Sequence, residues 1–125
     1  RDWGYAPEYV EGMWLMLQQK KPEDFVLATG KTHTVREFVD LVFKELDMEL
    51  DWVGKNEKEQ GIDRKSGKVR VSISSQYYRP TEVELLIGDP LKAKKILNWK
   101  TKTTFEDLVK IMTHADWEKV KQRKY

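Results

Sequence analysis

The sequence predicts a small α/β lobe in which helices alternate with a few short strands. Three observations carry that prediction. Four segments place apolar residues at helical spacing, three short runs between them are rich in β-branched or aromatic residues, and no internal repeat or low-complexity tract interrupts the order. The 125 residues suffice for one compact domain, and 39% hydrophobic against 35% charged residues, with five Trp, is the balance of a folded chain rather than a disordered tail.

Pro7 sits where the first turn of a helix begins, and Val10, Met13, Trp14 and Leu17 recur behind it, which predicts an amphipathic helix to about Lys20. At that spacing Met13-Trp14-Leu15-Met16-Leu17 reads as core. Phe25-Val26-Leu27-Ala28-Thr29 then reads as a short buried strand ended by Gly30. Thr34 and Glu37 have capping-box spacing, so hydroxyl and carboxylate can each satisfy a backbone N–H at the start of a second helix. Val35, Phe38, Val39, Leu41, Val42 and Leu46 form its inner face. Leu50-Asp51-Trp52-Val53 is a second strand, and the polar stretch 54–67 is expected to be a surface loop. Residues 68–73 alternate polar and apolar, as a half-buried strand does because successive side chains face opposite ways. A short helix from about Pro90 to Leu97 and a longer one from about Thr104 to Lys121 complete the order, with Thr103 or Thr104 as cap of the last.

Several function classes fall away on composition. There is no Cys, so neither a disulfide framework nor thiolate zinc ligands are available, and a reducing cytoplasmic location is expected. No apolar run approaches the ~18 residues a membrane span needs, and the amino terminus does not read as a signal peptide. Net charge is +2, from 23 basic and 21 acidic side chains mixed along the chain, so nucleic acid is not an expected partner. The basic residues gathered at 119–124 are read as complementing the negative end of a helix dipole. The chain opens at Arg1 without Met, inside a stretch that already reads as ordered, and is therefore expected to be part of a longer protein.

Some apparent motifs carry little. Thr29-Gly30-Lys31-Thr32 ends like a phosphate-binding P-loop, but Phe25 stands where that loop needs a further Gly, so it is read as a strand-to-helix turn. His33 and His114 lie far apart, without a carboxylate at metal-ligand spacing, and are assigned surface or helix-edge roles. Glu82 and Glu84 are not read as a catalytic carboxylate pair, since nothing places them across a substrate.

Arg79-Pro80-Thr81-Glu82-Val83-Glu84 is different. Arg79 follows two tyrosines, precedes a rigid Pro and lies just past a strand end. A guanidinium is a planar, permanently charged fork suited to bidentate phosphate binding, and a carboxylate three positions on can accept from ribose hydroxyls. By chemistry alone, Arg79 and Glu82 either hold a nucleoside diphosphate or pair with each other at a turn. Arg1-Asp2-Trp3 is equally open between a binding and a packing role.

These same places resemble a known family. Arg1-Asp2-Trp3-Gly4-Tyr5-Ala6 and Tyr9-Val10-Glu11-Gly12-Met13-Trp14-Leu15-Met16-Leu17-Gln18 look like the segment that opens the substrate lobe of GDP-mannose 4,6-dehydratases, in the extended short-chain dehydrogenase/reductase superfamily. The likeness continues through Ala28-Thr29-Gly30, His33-Thr34-Val35-Arg36-Glu37-Phe38, Tyr78-Arg79-Pro80-Thr81-Glu82-Val83-Glu84 and Gly88-Asp89. It closes with Lys92-Ala93-Lys94 and Leu97-Asn98-Trp99-Lys100. Arg-Asp-aromatic and the late Gly-Asp segment recur across the superfamily, whereas Trp-Leu-Met-Leu-Gln and Arg-Pro-Thr-Glu-Val are particular to these dehydratases. Tyr5 stands where His is frequent, and Pro7 where a more polar residue is usual.

The resemblance implies that residues 1–125 are a carboxy-terminal GDP-mannose-binding lobe, incomplete without upstream segments. It implies that Arg79 and Glu82 contact the phosphate or ribose of GDP, and that Arg1 helps hold the diphosphate. The family oxidises C4 of mannose with NADP, removes water across C5 and C6, and returns the hydride at C6 to give GDP-4-keto-6-deoxymannose. Its Gly-rich Rossmann fingerprint and its Thr, Glu, Tyr and Lys set, the last two spaced Tyr-x-x-x-Lys, do not occur in this sequence. The lobe is accordingly expected to have no catalytic residues, to be inactive alone, to partner a Rossmann domain of the same polypeptide that binds NADP, and to form a dimer or tetramer as the full-length enzyme. The alternatives are the equivalent lobe of a sibling nucleotide-sugar reductase or epimerase, and a binding or assembly module with no enzymatic parent.

Overall fold

Pro7 lies in the first turn of the opening helix, where its missing N–H leaves no bond unmade, and α1 spans Ala6–Leu17. This is seen in a computed structural model that describes residues 1–79 and 86–123. The remaining elements are α2 (Val35–Lys44), β1 (Leu50–Val53), β2 (Gln60–Asp63), β3 (Val69–Ser72), α3 (Leu91–Leu97) and α4 (Phe105–Gln122), with one 3₁₀ turn at Asn56–Lys58. Helices with a small antiparallel sheet make the predicted α/β lobe. The chain divides into two units, Arg1–Val35 with Leu85–Tyr125, and Arg36–Glu84.

The core of the first unit forms around α3. Ala93, Leu97 and Trp99 are buried, and Tyr9, Leu15, Met16, Phe25 and Leu27 pack against them. Asn98 takes a left-handed conformation (φ 53°) that ends α3 and turns Trp99 inward. There the indole N–H donates to the Glu8 carbonyl at 2.6 Å, and the ring meets Tyr9 edge-on at 5.5 Å. Thr104 caps α4 as its sequence predicts, accepting from the Asp107 N–H at 3.1 Å and donating its hydroxyl to the Asp107 carboxylate at 2.8 Å. Phe105, Leu108 and Val109 form the buried stripe of that helix.

Three expectations about this unit are corrected. The face of α1 expected to be core is exposed: Val10 by 62%, Met13 by 57%, Trp14 by 59% and Leu17 by 82%. Its buried face is the opposite one, with Glu8 and Gly12 buried and Leu15 and Met16 packed on the core. Helical spacing marks an apolar stripe without saying what covers it. The helix also ends at Leu17 rather than about Lys20, where the side-chain amides of Gln18 and Gln19 donate to the carbonyls of Trp14 and Leu15. Residues 25–29, expected as a strand, join no ladder among the described residues. A strand is defined by a partner's hydrogen bonds, and β-propensity alone supplies none.

In the second unit, β1, β2 and β3 form an antiparallel meander. Leu50 pairs with Asp63 and Val53 with Gln60, and an irregularity at Gly61/Ile62 shifts the β2–β3 register. The stretch 54–67 was expected to be a loop, yet it contains the 3₁₀ turn and the central strand β2. Gln-Gly-Ile-Asp has one large apolar residue and therefore no alternation to read. Ladder bonds to both neighbours make it a strand. Where α2 meets β1, the Trp52 indole N–H donates to Asp40 at 2.8 Å, and Arg36 lies over the Trp52 ring while pairing with Glu59.

Candidate functional site

The predicted binding residues are distributed over both units. Arg1 belongs to the first and Arg79 to the second, while Glu82 lies outside the described residues. Arg79 is exposed and follows a turn in which the N–H groups of Tyr77 and Tyr78 both donate to the Ser74 carbonyl, at 3.1 and 3.0 Å. That turn carries the chain out of β3 just before Arg79, the placement its sequence context predicts.

Around Arg1 the main chain is clamped. The His33 N–H donates to the Arg1 carbonyl at 2.9 Å, and the Arg1 backbone nitrogen donates to the His33 carbonyl at 2.6 Å. The neighbouring Asp2 carboxylate reaches the loop that follows residues 25–28. One oxygen accepts from the Thr29 N–H at 3.0 Å and the Thr29 hydroxyl at 2.6 Å, and the other accepts from the Gly30 N–H at 3.0 Å. Gly30 has φ +76°, a left-handed conformation that aims successive N–H groups at one anion and that a side chain would strain. Burial raises the Asp2 pKa, but the bonds from Thr29, Gly30 and the Gly88 backbone outweigh that and hold the carboxyl below its ordinary value. Gly88 also packs tightly on residues 26–28: a Cβ there would stand 2.3 Å from the Ala28 Cβ.

The donors that made Thr29-Gly30-Lys31-Thr32 resemble a phosphate loop are thus directed at the protein's own carboxylate. This agrees with the reading of that stretch as a turn. Sequence reasoning left Asp2 undecided between packing and binding. The available signal was its place in Arg1-Asp2-Trp3, and the tertiary partners 27 and 28 positions away were invisible.

Next to this anchor, Phe105 stacks with Trp3 (5.6 Å, 11° between planes) and with His33 (3.8 Å, 9°). His33 is therefore half-buried in a ring stack two residues ahead of α2, the helix-edge alternative of its sequence reading rather than the surface one. The stack borders a cleft of 310 Å³ lined by Trp3, Thr29, Lys31, His33 and residues 101–106, at the amino-terminal end of α4. The loop at its back is held by Glu8, whose Oε1 accepts from the N–H groups of Lys102 (3.2 Å) and Thr103 (3.0 Å) and from the Thr103 hydroxyl (2.7 Å).

A larger hollow of 740 Å³ lies in the second unit between Lys44, Met48, Glu49 and Arg64. Arg64 is paired there with Asp51 at 2.8 Å and with Glu49, so its charge is already met within the protein. Volume alone does not make this hollow a site, and neither Arg1 nor Arg79 borders it. Among the described residues no group of His, Asp or Glu is arranged to hold a metal ion, and no helix is long and apolar enough to cross a membrane.

Comparison with known proteins places these features in a family. A family model described as GDP-mannose 4,6 dehydratase matches residues 1–112. The GDP-mannose 4,6 dehydratase of Dictyostelium discoideum is 61% identical over 121 residues, which is 97% of this chain and 34% of that protein. The Homo sapiens protein of the same name is 55% identical over 118 residues, 94% of this chain and 32% of its own. The GDP-mannose 4,6-dehydratase of Sinorhizobium fredii is 50% identical over 116 residues, covering 93% and 33% respectively. The chain thus spans about a third of the length of the curated relatives it matches. With a match over residues 1–112 and identities of this size, the chain belongs to the GDP-mannose 4,6 dehydratase family.

Proposed function

We propose that this chain is the nucleotide-sugar-binding lobe of a GDP-mannose 4,6-dehydratase, a lyase of nucleotide-sugar metabolism that converts GDP-mannose to GDP-4-keto-6-deoxymannose on the way to GDP-fucose and other deoxyhexoses. The observation that carries this reading is the family match over residues 1–112. Arg79, exposed beyond a turn, and Arg1, on a clamped main chain, neutralise the diphosphate, and Glu82 accepts from the ribose hydroxyls. Binding energy gathered at the nucleotide end orients the mannose for chemistry performed elsewhere in the enzyme.

NADP supplies the hydride chemistry of that reaction when bound. Among the described residues, the loop most like a phosphate cradle does not fit it. A dinucleotide diphosphate needs a set of converging backbone N–H groups, and those of Thr29 and Gly30 are engaged by Asp2. The cofactor therefore belongs to a Rossmann domain in the remaining length of the polypeptide, and no catalytic residue is assigned to this lobe. The exposed stripe of Val10, Met13, Trp14 and Leu17 supports that arrangement, since four large apolar side chains on one helix face call for a cover. A cytoplasmic location and a dimeric or tetrameric full-length enzyme complete the reading.

Calorimetric titration of the full-length protein tests it. GDP and GDP-mannose are expected to bind, with UDP much weaker. Clear preference for UDP over GDP overturns the assignment.

A further inference from the structure

We propose that Asp2 is a positioning residue for nucleotide binding: its carboxylate locks the main chain that carries Arg1 onto the Thr29–Gly30 turn, and so sets where the Arg1 guanidinium can reach. This rests on the reading of Arg1 as a diphosphate contact.

Two stretches distant in sequence, residues 29–30 and Gly88, meet one carboxylate. Asp2 accepts from the Thr29 hydroxyl at 2.6 Å and from the N–H groups of Thr29 and Gly30, each at 3.0 Å, and the Gly88 backbone adds a further bond. The Thr29 hydroxyl also accepts from the Lys31 N–H at 3.1 Å, so the turn and the carboxylate brace each other. One residue away, both main-chain polar groups of Arg1 are bonded to His33. One residue the other way, Trp3 is stacked on Phe105. Arg1 through its main chain, and Asp2 and Trp3 through their side chains, are therefore each tied to the body of the unit.

The chemistry favours positioning over direct contact. A carboxylate repels a diphosphate, and this one is turned toward donors of its own protein. A long arginine side chain can reach many places, and a fixed base narrows them to those from which two phosphate oxygens are met together. Replacing Asp2 with Asn puts an N–H₂ group where one carboxylate oxygen now accepts, so two donors face each other and the turn is pushed away.

The test uses the full-length protein and the variants Arg1→Ala, Asp2→Asn, the double variant, Thr29→Val and Thr29→Ser, with GDP titration and steady-state kinetics on GDP-mannose. Asp2→Asn is expected to weaken GDP binding roughly tenfold, with the loss appearing in KM rather than kcat. On the Arg1→Ala background the same change is expected to cost less than about twofold, because its effect runs through Arg1. Thr29→Val, which removes the hydroxyl donor and keeps the backbone, should show a smaller loss in the same direction. Thr29→Ser, which keeps the hydroxyl, should recover most of it.

Should Asp2→Asn not fold, the Thr29 pair on the two Arg1 backgrounds decides the matter in the same way. Equal losses with and without Arg1 overturn the proposal, as does a fall in kcat and thermal stability with no change in KM. If Arg1→Ala weakens GDP binding while neither Asp2→Asn nor Thr29→Val does, the inference fails and the reading of Arg1 stands. If Arg1→Ala leaves GDP affinity unchanged, the reading of Arg1 fails and the inference falls with it.

Discussion

The Glu8 carboxylate, on the first turn of α1, reaches across 95 positions to Thr103 and accepts from both its N–H at 3.0 Å and its hydroxyl at 2.7 Å. Glu8 is only 9% exposed, yet among the described residues its donors are neutral, Lys102 contributing through its backbone. It acts as a side-chain cap for the chain entering α4, just ahead of the Thr104 cap itself.

Truncation at this point should be costly. Glu8→Ala leaves the N–H groups of Lys102 and Thr103 without their acceptor, and is expected to lower the stability of the full-length protein by about 2–3 kcal/mol in urea unfolding. Glu8→Gln keeps one oxygen to receive the same donors, and its amide can take the place of Oε2, which is buried with no hydrogen-bond partner among the described residues. It should cost about 1 kcal/mol or less. Equal effects of the two changes would show that the contacts with Thr103 and Lys102 do not govern the site.

Asp2 makes a pH prediction. Its carboxyl titrates below the ordinary value in the folded protein, so its contribution to stability is present above the unfolded-state pKa and is lost as pH falls through the depressed folded value. Thermal stability of the full-length protein should therefore fall as pH drops below about 4, and Asp2→Asn should flatten that acid limb. An unchanged acid limb would show that Asp2 is not ionised and bonded as described.

Trp14 tests the uncovered face of α1. A 59% exposed side chain that touches nothing further costs about 0.5 kcal/mol or less when truncated, whereas one covered by another domain costs about 3–5 kcal/mol. In the full-length protein Trp14→Ala is expected to behave as the covered case in a denaturant titration.

Arg79→Ala addresses the nucleotide contact itself. Removing a guanidinium bound to phosphate is expected to weaken GDP-mannose binding by about 2–4 kcal/mol in the full-length enzyme, read by calorimetry, with little change in thermal stability because Arg79 is exposed. Unchanged affinity would remove Arg79 from the site.

Much of this architecture is legible in the sequence because the relevant signals are local. Pro7, Thr104 and the 3.6-residue apolar spacing locate α1 and α4, and the alternation at 68–73 locates β3, since helix starts and half-buried strands are governed by neighbouring residues. The family is legible too, in Trp14-Leu15-Met16-Leu17-Gln18 and the Arg79-Pro80-Thr81-Glu82-Val83 run. What only the tertiary structure decided is everything that depends on a partner far along the chain. Gln60–Asp63 is a strand because two neighbours bond to it, residues 25–29 join no ladder among the described residues, and the apolar face of α1 is exposed because the core engages its other side. The clearest case is Asp2. By itself it is an acid beside an arginine, and it becomes the anchor of that arginine only when folding brings Thr29 and Gly30 within 3.0 Å, because a hydrogen bond is set by distance in space and a sequence records distance along the chain.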